Sequence, residues 1–156
     1  NPRSGKTETW DGSSWTEVGD LNTNRDGLGA AADGSQSAVA FAGATPSYTA
    51  NTETWNGSSW TEVNNLNTAR GEVGTGGGKT NSVLCVGGTP SPNNKLTEAW
   101  NGTSWTEVAD MAKGRVNFGQ AGVGTTAVIA MAGGSSPEVE TEEFTGGLAL
   151  STITVS

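Results

Sequence analysis

The stretch "TETWNGSSWTEV", residues 52–63, recurs almost word for word as "TETWDGSSWTEV" at 7–18 and "TEAWNGTSWTEV" at 97–108. Each copy sets two tryptophans five residues apart around an Asn-Gly or Asp-Gly pair. Such a pair between strand-like runs is a strong hairpin signal, because both central residues of the tightest hairpin turn take positive φ. The stretch therefore predicts two short strands joined by a turn, used three times.

The repetition extends beyond the hairpin. Segments of the "TETW" type start at 7, 52, 97 and 141, a period of 45, 45 and 44 residues. Arg25, Arg70 and Arg115 keep the 45-residue step, as do Gly43, Gly88 and Gly133. Within one period the reading is a Gly-rich strand (71–78), an apolar strand (81–88), then the two hairpin strands. Helix formers are scarce, 24 residues are Gly, and the aliphatics come in short runs, a mixture suited to strands and turns. Four strands per period of this length predict a β-propeller blade rather than a helical solenoid or a leucine-rich horseshoe. The fold class expected is all-β, with antiparallel four-stranded units.

These residues resemble the kelch repeat. Kelch blades carry an apolar run ending in Gly-Gly, then an aromatic, then a Trp, and Gly87-Gly88, Trp100 and Trp105 follow that order. The diglycine is weakened to Ala42-Gly43 in one copy and to Ala132-Gly133 in another. The first aromatic, usually Tyr, is here Trp10, Trp55, Trp100 and finally Phe144. The wording "WNGSSWTEV" followed by "LNTAR" is also similar to kelch-like repeats in large structural proteins of bacteriophages, marine ones in particular. The resemblance implies a propeller segment spanning 1–156. Residues 27–63, 72–108 and 117–155 are read as complete blades, and 7–18 as the outer strands of an incomplete one. A propeller needs about four to eight blades to close, so ring completion by further blades or by other protein subunits is expected. The chain does not begin with Met and its last repeat lacks "WTEV", which reads as the C-terminal portion of a larger propeller protein.

Composition excludes several function classes. A net charge of −8 disfavours nucleic acid and anionic membrane surfaces as partners. The longest apolar runs are too short to span a bilayer. There is no histidine, which removes the usual general base and the usual zinc or copper ligand. A galactose-oxidase-type copper site needs His and Tyr ligands, and the chain has one Tyr. The lone Cys85, in "SVLCVGG", reads as a small buried hydrophobe. No catalytic residue, metal or cofactor is expected.

Repeated residues read as framework. The six tryptophans could stack on sugars, but identical placement in every copy favours packing between neighbouring blades. Glu8, Glu53, Glu98 and Glu142 hold one recurring position, and Glu17, Glu62 and Glu107 another. With the recurring arginines they read as inter-strand or inter-blade pairs, not as the two acids of a glycosidase. "NTNRDG" (22–27) imitates a calcium loop through Asn22, Asn24, Asp26 and Gly27, with Asp33 at its twelfth position, yet an Asn/Asp/Gly turn explains it better. In "PEVETEEF", Glu138, Glu140 and Glu142 would share one strand face, read as solvated. Asn56 and Asn101 fit glycosylation sequons that turn chemistry already accounts for.

What varies between copies is the loop after the apolar strand: "ATPSYTAN" (44–51), "TPSPNNKL" (89–96) and "GSSPEVE" (134–140). Variable loops on a constant scaffold usually carry recognition. The candidate binding residues are Pro46, Ser47 and Tyr48, then Pro90, Ser91, Asn93, Asn94 and Lys95, and then Ser136, Pro137 and Glu138. The function expected is a non-catalytic structural and binding module of a virion or other extracellular particle. Its partners would be other protein subunits or a surface glycan or receptor. A carboxylate-only carbohydrate-active enzyme and an intracellular kelch adaptor are the alternatives.

Overall fold

Short runs bounded by Gly, Asn and Pro become strands: small-residue runs such as Gly74–Lys79, apolar runs such as Ser82–Val86 and tryptophan-bearing runs such as Thr97–Trp100. The computed structural model describes residues 3–131, 133, 141–145 and 149–153. Their first sheet holds β1 (Glu8–Trp10) and β2 (Trp15–Glu17). The second holds β3 (Gly29–Gly34), β4 (Ser37–Phe41), β5 (Thr52–Trp55) and β6 (Trp60–Glu62). The third holds β7 (Gly74–Lys79), β8 (Ser82–Val86), β9 (Thr97–Trp100) and β10 (Trp105–Glu107). The fourth holds β11 (Gly119–Gly122), β12 (Ala127–Met131), β13 (Thr141–Thr145) and β14 (Ala149–Ile153). All pairings are antiparallel and each strand neighbours the next in sequence, giving an all-β, blade-like arrangement. No helix among the described residues is long and apolar enough to cross a membrane.

The hairpin turn differs from the two-residue form that Asn-Gly predicts. Trp55 pairs with Trp60 and Trp100 with Trp105, leaving four loop residues between them. Gly57 and Gly102 have φ of 94° and 93°, whereas neither Asn is among the residues with positive φ. The Asn side chain is the organising group instead. Asn56 Oδ1 accepts from the backbone N–H of Ser58 and Ser59, both at 3.0 Å, and Asn101 does the same for Thr103 and Ser104. In the first copy Asp11 takes this role, and the backbone N–H groups of Ser14 and Ser13 hold its carboxyl down to about 2.

Sheets pack in chain order, each against the next. One apolar cluster joins Val39 and Phe41 of the second sheet to Val83, Cys85, Trp100 and Trp105 of the third. Another joins Leu84 and Val86 of the third to Val128 and Ala130 of the fourth, with Met111 between. The first strands of the three four-stranded sheets, β3, β7 and β11, lie side by side, and their glycines permit it. A Cβ on Gly76 would come within 2.6 Å of Val128, and one on Gly74 within 2.5 Å of the Phe118 ring. At the opposite edge, tryptophans fill the space. Trp105 meets Phe41 of the preceding sheet edge-on at 4.8 Å between ring centroids. Its indole N–H donates to Thr52 Oγ1 at 3.0 Å, and Trp60 donates likewise to Thr7 at 2.9 Å. Trp55 and Trp100 are buried, and their indoles donate to the backbone carbonyls of Ser35 and Thr80. Burying one such ring stabilises the stack by about 2–3 kcal/mol. Trp10 and Trp15, by contrast, are 48% and 65% exposed.

A buried ion pair ties each linker to the sheet that follows it. Arg25 lies before β3, and its guanidinium donates to Glu53 Oε1 at 2.9 Å, with both side chains at most 1% exposed. Arg70 meets Glu98 at 3.2 Å and Arg115 meets Glu142 at 3.3 Å in the same way. The second carboxylate oxygen accepts from the linker backbone: Asn22 N–H at 2.7 Å, Asn67 N–H at 2.8 Å and Ala112 N–H at 2.7 Å. Glu142 is therefore 2% exposed and paired, which overturns the solvated face expected of it. Glu138 and Glu140 lie outside the described residues. The other recurring set, Glu62 and Glu107, faces Glu53 and Glu98 across the strands but is exposed and does not enter the buried pairs. Glu8, in the two-stranded sheet, is exposed as well.

Removing one partner of a buried pair strands the other charge without water, so Glu98→Gln should lower stability by about 3–5 kcal/mol in urea denaturation. Its exposed cross-strand neighbour provides the control, with Glu107→Gln changing stability by no more than about 0.5 kcal/mol. Cys85 is fully buried beside Arg70, whose Nε approaches Sγ at 3.4 Å. Burial pushes its thiol up to about 11, which outweighs the nearby guanidinium. A thiol-specific chromogenic reagent at pH 8 should therefore leave the native protein unlabelled. It should label the single cysteine only once denaturant unfolds the chain.

Candidate functional site

Topology sorts the loops onto two ends of the sheets. The chain enters each four-stranded sheet through a linker, runs out along the first strand, and returns to that same end at the variable loop. The linkers before β3, β7 and β11 and the loops 44–51 and 89–96 therefore share one end, and the Asn-Gly hairpins occupy the other. Local chemistry fixes the loops there. Asn51 and Ala42 carbonyls accept from Arg25, and Asn94 and Lys95 carbonyls accept the backbone N–H of Arg115 and Met111.

The candidate residues divide accordingly. Pro46, Ser47 and Tyr48 are exposed, as are Pro90, Ser91 and Lys95. Asn94 is half-buried, its carboxamide against Gly114, where a Cβ would meet it, so it fills space between loop and linker. Asn93 begins a short 3₁₀ turn, Asn93–Lys95. Ser136, Pro137 and Glu138 lie outside the described residues.

Pro46 and Tyr48 line a groove of about 470 Å³ together with residues that the loop reading leaves out: Arg3, Asp26, Glu72 and Asn117. Tyr48, 40% exposed, lays its ring over Gly71, where a Cβ would come within 3.0 Å of it. Arg3 and Asp26 pair at 3.3 Å across the opening, both partly exposed. The groove thus presents one aromatic face, two acids, an amide and a guanidinium within a shallow polar surface, a set suited to hydrogen-bonding and stacking a polar ligand.

The floor of the groove is built from an unusual backbone. Gly27, Glu72 and Asn117 hold equivalent places two residues after the buried arginines, with φ of 60°, 53° and 51°. They also bond to one another, Glu72 N–H to Gly27 O at 2.8 Å and Asn117 N–H to Glu72 O at 3.5 Å. The left-handed region costs a side chain of the Glu type about 1–2 kcal/mol, and Asn less. The sequence carried a signal for this. A fixed Arg is followed at the same offset by Gly, Glu and Asn in turn, a polar substitution at a site where one copy keeps glycine.

The calcium-like stretch is used otherwise. Asn22 donates to Glu53, Asp26 pairs with Arg3, and Asp33 accepts from the Thr80 backbone and hydroxyl at 2.9 and 2.5 Å. Those donors draw the Asp33 carboxyl below the ordinary range. Among the described residues no three acidic or cysteine side chains group as a metal site. No protein-family model and no curated protein matches this chain.

If Glu72 is held in the left-handed region by its surroundings, Glu72→Gly should relieve it. The urea midpoint is expected to rise by the equivalent of about 0.5–1 kcal/mol, the strain relieved less the extra chain entropy of glycine. A midpoint that falls would mean the Glu72 side chain itself stabilises the turn.

Proposed function

We propose that this chain is a kelch-like propeller segment acting as a non-catalytic structural and binding module. Its sheets serve as blades, and the end carrying linkers and variable loops is the recognition face. The particle we favour is a virion, at its tail, tail fibre or capsid surface, on the strength of the "WNGSSWTEV…LNTAR" resemblance. The partners are other protein subunits and a polar surface ligand of the glycan or receptor type.

The observation that carries the reading is a division of labour among side chains. The recurring acids Glu53, Glu98 and Glu142 are dry, each bonded to an arginine and a linker N–H, which leaves them poorly placed for acid–base chemistry. Four of the six tryptophans are engaged between or within sheets. Among the groups facing solvent at the loop end are Tyr48, Glu72, Asn117, Asp26 and Arg3, none of which is repeated at its equivalent position in another copy. A framework that consumes its repeated chemistry and exposes its unrepeated chemistry fits a binding module.

Binding to an immobilised glycan panel and to host-cell surfaces tests it. Tyr48→Ala should weaken the interaction about tenfold, the loss of one aromatic anchor, while leaving the thermal transition in place. Unchanged binding by that variant, or turnover of any glycan in the panel, would sink the proposal.

A further inference from the structure

Two turns at the hairpin end hold reactive groups that neither packing nor the groove uses. Asn56-Gly57 and Asn101-Gly102 each set an asparagine carboxamide beside the backbone nitrogen of a glycine, the least hindered nucleophile of the main chain. Both asparagines are exposed, and neither glycine N–H donates to an acceptor among the described residues. The carboxamide oxygen, by contrast, is held. Asn56 Oδ1 accepts from the Ser58 and Ser59 N–H groups, both at 3.0 Å, and from the Ser58 hydroxyl at 2.9 Å. Asn101 Oδ1 accepts from the Thr103 and Ser104 N–H groups, both at 2.9 Å. Donors gathered on a carbonyl oxygen stabilise the negative charge that develops there when a nucleophile adds to its carbon.

The first copy shows what the turn does with an acid. Asp11 fills the asparagine place, and its Oδ1 accepts from the Ser13 and Ser14 N–H groups at 2.7 and 2.9 Å. Its second oxygen accepts from the Ser14 hydroxyl at 3.2 Å, a bond that the NH₂ of an asparagine cannot accept. Ser59 and Ser104 hold the place of Ser14 in the other copies. Backbone donors bring the Asp11 carboxyl down to about 2, so the turn favours the anion.

We infer that Asn56 and Asn101 are sites of spontaneous deamidation in the folded protein, with aspartate rather than isoaspartate as the main product. The Gly57 nitrogen gives its proton to solvent hydroxide and bonds to Asn56 Cγ. The oxyanion on Oδ1 then collapses, and Nδ2 leaves as ammonia with a proton from water, which closes a succinimide. Water adds to the same Cγ, breaks its bond to the Gly57 nitrogen and returns a proton to that nitrogen. Amide and water become carboxylate and ammonium, and Asn101 reacts in the same way with Gly102. The donors on Oδ1 direct water to Cγ and away from the backbone carbonyl, where attack would put an extra methylene into the chain. Each event adds a negative charge to a chain of net charge −8 and gives the turn its Asp11 form. This inference is independent of the binding reading, because the hairpins lie at the end opposite the groove.

Incubating the folded chain in heavy-oxygen water at mildly alkaline pH, followed by peptide mapping in a mass spectrometer, reads conversion at both sites. Enzymatic methylation counts the isoaspartate, and the same chain in urea is the reference. Both sites should convert in the folded chain, with an aspartate-to-isoaspartate ratio about two- to tenfold above the urea value, the worth of one hydrogen bond. Ser58→Ala removes the hydroxyl donor from Asn56 alone and should slow that site by about the same two- to tenfold factor while Asn101 keeps its rate. Conversion confined to the unfolded chain overturns the inference, since the turn would then protect its asparagines. A product ratio equal to that in urea overturns it too, because the donors would then not steer the water.

Discussion

Each linker has to enter a dry region, and the buried arginine–glutamate pair is what lets it. A connection between sheets brings backbone N–H and C=O groups that lose water on packing, and each of these needs a partner. Glu53, Glu98 and Glu142 offer one carboxylate oxygen to the linker N–H and the other to the arginine. The arginine in turn donates to carbonyls of the second strand and just past its end, such as Ala40 and Ala42 for Arg25 or Cys85 for Arg70. One pair therefore joins a linker, a second strand and a third strand. Its fork geometry is why lysine would not serve. With the linkers anchored, the loop end of the structure is determined, and the groove lies there.

Packing between sheets follows a gradient of side-chain size. Glycines on the first strands let β3, β7 and β11 approach to near contact, while tryptophans hold the last strands apart. The two-stranded sheet differs in exposure. Trp10 and Trp15 sit there in the same hairpin geometry as their equivalents, yet nothing in the described structure covers them.

Much of this was legible from residue order alone. The 45-residue period marks the strands, their antiparallel order and the recurrence of arginines in step with two sets of glutamates, but not which set the arginines meet. The turn chemistry was read less well. Asn-Gly points to a two-residue turn, but the indole pairs Trp55–Trp60 and Trp100–Trp105 align across the strands and leave four residues to close the loop. The Asn carboxamide then satisfies the backbone that a tighter turn would have satisfied itself. The solvated reading of Glu142 failed because strand alternation predicts a face without telling what covers it, and here Arg115 does.

Sequence by itself determined which residues are framework, because a repeated packing role demands a repeated side chain at a constant spacing. It also placed the variable loops, since departures from the period are visible without coordinates. Only the tertiary structure decided which variable residues share a surface. Arg3, Asp26, Pro46, Tyr48, Glu72 and Asn117 come from several periods, and no spacing rule joins them. It likewise decided that of two glutamates facing each other across a strand pair, one is dry and the other wet. Burial depends on what packs from the neighbouring sheet, which is a property of three dimensions.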